Sequence, residues 1–363
     1  MIFINNRFMK SFDWITFLLL TALSIISVLF VFSTTTTIAQ PYSIFFKKQF
    51  FGVIVGIILY LVCSCIDYRV WMRWGYFLYF VTIGLLIFTL IKGTIGMGAQ
   101  RWINFGLFKL QPSELTKLFL PAYITYFLYT HDQSEKLYFK DFLPILAMLF
   151  MSFVLIRKQP DLGTALIVLF SGLIMLWAAG ISKKFFIYSA LGVFISAPLL
   201  WTILKDYQKR RIYVFLGYGK SNKERYHIEQ SHIAIGSGGL FGKGFLKGTQ
   251  NRLSFLPESR TDFIFAIVCE EFGFFGALFL LLLYATLFLR LFLQIYNMAN
   301  PFKQLFALGL LSHIVLSAII NIAMVIGLLP IVGIPLPLIS YGISSLWATF
   351  ISFGWISSIQ LQR

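Results

Sequence analysis

Charge is scarce in this chain, and acidic charge is scarcer still. Of 363 residues only 12% are charged, and 14 acidic residues stand against 30 basic ones. Soluble domains carry about 25% charged and about 45–50% apolar residues, whereas 58% of this chain is hydrophobic. That balance excludes an ordinary soluble enzyme. Cysteine is also scarce. Cys63, Cys65 and Cys269 all lie in apolar runs, at spacings that fit neither a disulfide framework nor a metal site. They read as small buried apolar residues. The glycine-rich stretch IAIGSGGLFGKGFLKGTQ lacks the Gly-Lys-Ser/Thr of a P-loop, which argues against a nucleotide site. His227, His232 and His313 show no ligand spacing and are expected to be structural. No nucleic-acid motif accompanies the net charge of +16, so nucleic acid is not an expected partner. Anionic lipid head groups and phosphate-bearing lipids suit that charge better.

What the chain has in abundance is long apolar runs. A spanning helix needs roughly 20 mainly apolar residues. Ten segments meet that measure: 14–33, 50–66, 74–91, 114–129, 142–156, 164–181, 185–204, 262–289, 305–328 and 341–359. Helices satisfy their own backbone hydrogen bonds in lipid, and a β-barrel would show short alternating segments instead. The predicted fold is an all-α polytopic membrane protein with ten transmembrane helices, in a single domain over 1–363. The first segment follows a basic stretch with Arg7 and Lys10; it is long for a signal peptide and lacks a good cleavage site, so it counts as a helix. Residues 92–113, with glycines and interleaved aromatic and basic residues, suit an interfacial or re-entrant element. Residues 205–261 form a long hydrophilic loop between helices seven and eight. The short loops on the side of the N-terminus hold more Lys and Arg than the others, which predicts both termini in the cytoplasm and the long loop extracytoplasmic.

On that topology four polar clusters share the outer face: residues 101–117, 158–164, the long loop with Asp262, and the turn at 329–345. Asp262 stands where a charged segment runs into the eighth apolar run, with Glu258 and Arg260 before it. A carboxylate at the mouth of a membrane helix needs a partner or a task; Asp262 is either that functional group or a helix N-cap. Ser113 is placed to cap the fourth helix, with Glu114 in its first turn. Lys117 is one turn on, so it either pairs with Glu114 or meets a phosphate. Asp161 is either a helix cap or part of the polar cluster beside Arg157 and Lys158. Lys243 and Lys247 in the glycine-rich stretch are candidate phosphate contacts. Glu270 and Glu271, further into the apolar run, read as a buried hydrogen-bonded pair.

The motifs GAQRWINFGLFKLQPSELTKL, KQPDLGTA, FLPESRTDFIFAIVCEEFGFFG and GLLPIVGIPLPLISYG together resemble the SEDS family, most closely its elongation branch, over residues 14–359. The resemblance implies peptidoglycan glycosyltransfer from lipid II with a divalent cation, Mg or Mn. It places the essential aspartate at Asp262 and cavity residues at Arg101, Gln111, Glu114, Lys117 and Asp161. It implies a class B penicillin-binding protein as partner, with MreC and MreD in the elongation machinery. Arg260 stands where the family usually has His, and NIAM and SYGISS replace NIGM and SYGGSS. Two rival readings are a lipid II flippase, with Glu270, Glu271, His313 and Asn321 along a polar path, and a scaffold for a transpeptidase.

Overall fold

A computed structural model describes residues 12–36, 40–96, 99–106, 109–131, 139–218, 222–253 and 255–362. The basic stretch with Arg7 and Lys10 lies outside the described residues. Helices dominate. Three open the chain: α1 (Trp14–Thr35), α2 (Ile44–Cys65) and α3 (Tyr68–Lys92). A small antiparallel sheet follows, β1 (Thr94–Gly96), β2 (Ala99–Asn104) and β3 (Lys109–Leu110), with β2 in the middle. Then come α4 (Pro112–His131), α5 (Leu143–Lys158), α6 (Leu162–Ala178), α7 (Lys183–Ile195) and α8 (Ala197–Ile203). The polar stretch holds α9 (Asp206–Phe215), α10 (Asn222–Ser237) and α11 (Thr249–Arg252). The chain closes with α12 (Ile264–Tyr296), α13 (Pro301–Val325) and α14 (Ile343–Leu361).

Each of the ten apolar segments falls on a helix or a pair of helices. Among the described residues, six helices are long and apolar enough to cross a membrane, and α6 is a shorter apolar one. Large apolar side chains such as Ile15, Phe51, Phe88 and Phe279 point outward, as a lipid-facing surface requires. Small residues let helices approach closely: Gly75 meets Ala122 between α3 and α4, and Gly56 lies under the Phe350 ring between α2 and α14.

Several expected boundaries move. The expected charged loop at 67–73 is mostly helix: Asp67 caps α3 by accepting from Arg69 N at 2.7 Å. Ser113 does not cap α4; it lies inside the first turn with its buried hydroxyl unpartnered, because Gln111 takes the position before the helix. The seventh segment breaks at Ser196, two residues before Pro198, whose ring cannot continue the ladder. No residue of α7 is buried. The predicted loop at 205–261 is largely helical. The eighth helix starts at Ile264 and is interrupted at Gly273 (φ 67°, ψ −161°). There the backbone of Leu240 and Gly242 occupies the space a Cβ would need, so only glycine fits. Phe274 N donates to Gly239 O and Lys243 N to Glu270 O, so the glycine-rich loop takes over ladder bonds lost at the break.

Candidate active site

The central strand β2 carries Arg101, and the turn after β3 delivers Gln111 to the start of α4. The Gln111 carbonyl accepts from Glu114 N at 3.0 Å, which closes the first helical turn and leaves the side chain to reach outward. It reaches Asp161: Gln111 Nε2 donates to Asp161 Oδ2 at 2.8 Å, and Arg101 Nη1 lies 3.3 Å from the same oxygen. The other oxygen, Oδ1, accepts from Thr164 N at 3.2 Å and caps α6. Asp161 is thus both cap and cluster member. Its buried charge is matched by a guanidinium and a neutral amide, which a buried carboxylate requires.

The start of α6 packs on the proline-rich turn. A Cβ on Gly163 would lie 2.8 Å from Ile334 Cγ1 and 2.9 Å from Val332 O, so only glycine allows this approach. The same turn meets Asp262, whose Oδ2 lies 3.5 Å from where a Cβ on Gly333 would stand. Asp262 does not cap α12. Phe263 occupies that position and no side chain bonds the cap. Among the described residues the Asp262 carboxyl accepts no hydrogen bond. It keeps a partial opening to solvent. Burial pushes its pKa up to about 6, and the Glu258 charge adds to the shift. Arg101 and Arg211 oppose it.

Glu258 holds a left-handed backbone (φ 54°), which costs a non-glycine residue about 1–2 kcal/mol. Its carbonyl accepts from Thr261 N and Phe263 N, and its carboxylate accepts from Thr261 Oγ1 at 3.1 Å. The turn therefore holds Glu258 beside Asp262. Arg260, where His is usual, lies 3.9 Å above the Phe45 ring.

Glu114 and Lys117 form a buried pair at 2.7 Å on α4. Lys243 stands apart from these groups. Its ammonium, the candidate phosphate contact of the glycine-rich stretch, binds Glu270 at 2.7 Å. Glu270 Oε1 also accepts from Thr249 N, Thr249 Oγ1 and Gln250 N. Glu271 accepts from Ser33, so both glutamates are buried and hydrogen-bonded, each to its own partners. One contributor has no sequence signal, and another has a role the sequence does not show. Arg211 acts on Asp262 from α9, and it was one cation among many in a basic stretch. Asn321 donates to the carbonyls of Asp262 and Ile334, a link only the fold reveals.

Known proteins resemble this chain in sequence and in fold. A family model of cell cycle proteins, FtsW/RodA/SpoVE, matches residues 10–363. The peptidoglycan glycosyltransferase MrdB of Escherichia coli (strain K12) is 39% identical over 325 residues, 87% of this chain and 86% of its own length. A solved chain described under "structural coordination of polymerization and crosslinking by a peptidoglycan synthase complex" superposes with a TM-score of 0.80 at 26% identity, covering 96% of this chain and 97% of its own. The crystal structure of the Thermus thermophilus rod shape determining protein RodA gives a TM-score of 0.72 at 26% identity, covering 97% of both. By the extent of the family match and the identity to its relatives, the chain belongs to the FtsW/RodA/SpoVE family of cell cycle proteins, the SEDS family its motifs resemble.

Proposed function

We propose that this chain is a multi-pass peptidoglycan glycosyltransferase of the bacterial cytoplasmic membrane that polymerises lipid II at the outer face during elongation. The observation that carries the mechanism is the Asp262 carboxyl. Among the described residues it neither caps α12 nor joins an ion pair, burial and the Glu258 charge push its pKa up to about 6, and the charges of Arg101 and Arg211 oppose that shift. A general base works best with a pKa near the operating pH. The acceptor 4-hydroxyl gives its proton to Asp262 and bonds through its oxygen to the anomeric carbon. The bond from that carbon to undecaprenyl diphosphate breaks, and the diphosphate leaves with the electron pair. Arg101 and Arg211 offset its charge. Gln111 holds Asp161, which in turn holds Arg101, and Lys117, paired with Glu114, is the cation for a phosphate within the bundle.

The family resemblance implies a divalent cation. Among the described residues no group of three or more His, Cys, Asp or Glu is placed to hold a metal. Magnesium is commonly held by one or two carboxylates together with substrate phosphates, and Glu258, held by its turn through Thr261, would supply one such carboxylate. When bound, the cation supplies Lewis-acid stabilisation of the diphosphate. We extend the proposal to ten spans in a single domain, both termini in the cytoplasm, and a class B penicillin-binding protein as partner, with MreC and MreD. The solved complex that couples polymerization to crosslinking supports such a partner.

Three of the four residues on the flippase path are engaged in local bonds. Glu270 holds the loop, Glu271 accepts from Ser33, and Asn321 binds two carbonyls. The test uses the purified chain with a transpeptidase-only partner, lipid II and magnesium. Glycan strands support the polymerase. Their absence beside an active control polymerase, with trans-bilayer movement of fluorescent lipid II in vesicles, would establish the flippase instead.

A further inference from the structure

Three successive carbonyls at the mouth of α12 are each held from outside the segment. Tyr341 N donates to Arg260 O at 2.9 Å, Ser340 Oγ donates to Thr261 O, and Asn321 Nδ2 donates to Asp262 O at 2.9 Å. The helix does not need these carbonyls. Its ladder begins one residue later, where Ala266 N donates to Phe263 O. Asn321 is fully buried on α13, and the same Nδ2 donates to Ile334 O at 2.7 Å. Its amide can face two carbonyls only with its nitrogen, so the orientation is dictated by chemistry. Ser340 is buried too, and its hydroxyl accepts from Leu336 N at 2.8 Å while donating to Thr261. The turn that carries Ser340 is anchored in turn: Ser27 Oγ donates to Ile339 O at 2.8 Å, and Gln49 donates to Ser27 at 2.8 Å.

We infer that Asn321 and Ser340 are positioning residues for Asp262, clamping the carbonyls of Asp262 and Thr261 so that the carboxyl faces Gly333 without spending itself on a hydrogen bond. A catalytic carboxylate aimed by its own hydrogen bonds loses basicity. One aimed through its backbone keeps both its direction and its lone pairs. Asn321 ties Asp262 to Ile334, next to Gly333, so the side chain and the surface it faces move as one body. The inference rests on the proposed role of Asp262 as base.

The experiment measures strand synthesis by the purified chain with its partner, as kcat and KM for lipid II across pH, for wild type, Asp262→Ala, Asn321→Asp and Ser340→Ala. Asn321→Asp keeps the size and loses both donated bonds; Ser340→Ala loses one. Monodispersity and thermal unfolding establish folding, and Ser340→Ala decides the question if Asn321→Asp does not fold. Expected is a kcat loss of about 10- to 100-fold, the scale of a misplaced reacting group, with KM changed by less than about twofold. Wild-type kcat, or a kcat loss matched by an equal rise in KM, overturns the inference. Asp262→Ala with wild-type activity overturns the base assignment itself, a separate result.

Discussion

Arg101 lies 3.3 Å from an Asp161 oxygen that also accepts from Gln111, while the other oxygen of Asp161 caps α6. One carboxylate thus does a structural and an electrostatic task, and isosteric substitution separates them. Asn caps a helix about as well as Asp, and losing the cap costs about 1 kcal/mol. Asp161→Asn is expected to unfold near the wild-type temperature yet to polymerise at least about tenfold more slowly, since the Arg101 pair is lost. Asp161→Ala is expected to lose the activity and the cap together. Full activity in Asp161→Asn would reduce Asp161 to a cap.

The Glu114–Lys117 pair is buried on both sides. Glu114→Gln leaves an unpaired ammonium inside the protein, a loss of about 3–5 kcal/mol. Adding Lys117→Met is expected to restore most of that stability, because an apolar pair of similar volume is tolerated. Strand synthesis is expected to stay lost in the double variant if Lys117 meets phosphate. Thermal unfolding and polymerisation of the three variants check this, and recovery of both would make the pair purely structural.

The raised Asp262 pKa sets the pH response. The base works ionised, so activity should rise with pH through about 6 and level off above it. Stability runs the other way. The folded protein holds the Asp262 proton more tightly than the unfolded chain, so this group's contribution is full below the unfolded value near 3.9 and is lost as pH rises through about 6. Asp262→Asn is therefore expected to be inactive and, at pH 7, more stable by on the order of 1–2 kcal/mol. Denaturation curves at pH 5 and pH 7 test the sign; a destabilised Asp262→Asn contradicts it.

Lys243 and Glu270 fasten the glycine-rich loop to the interrupted helix. Lys243→Ala leaves Glu270 with its donors from Thr249 and Gln250, for a loss of about 1 kcal/mol. Glu270→Ala orphans those donors as well, for a loss of about 3 kcal/mol. KM for lipid II should be unchanged by Lys243→Ala. A several-fold rise in KM at unchanged stability would return Lys243 to the substrate site.

Much of this was legible before any coordinates. Apolar runs of about twenty residues locate the helices because lipid demands them. Asp262, Glu258 and Asp161 stand out because carboxylates are so few. The misses have physical causes. Pro198 breaks the seventh segment, and Gly273 interrupts the eighth under the backbone of Leu240 and Gly242. Hydropathy registers neither event. The cap at α4 went to Gln111 and not Ser113, because Pro112 already starts the helix. The partner of Lys243, Glu270, is distant in sequence and brought near only by the loop's docking. Arg211 carries no local signature, and Asn321 reads only as one polar residue of a motif; their roles exist only where α9, α13 and the proline-rich turn converge on Asp262.

The most direct test of the central claim is strand synthesis from lipid II by purified, monodisperse Asp262→Ala beside wild type, each with a transpeptidase-only partner and magnesium. The account expects glycan strands from wild type and none from the folded variant. Strands of equal yield from both would remove Asp262 as the base and contradict it.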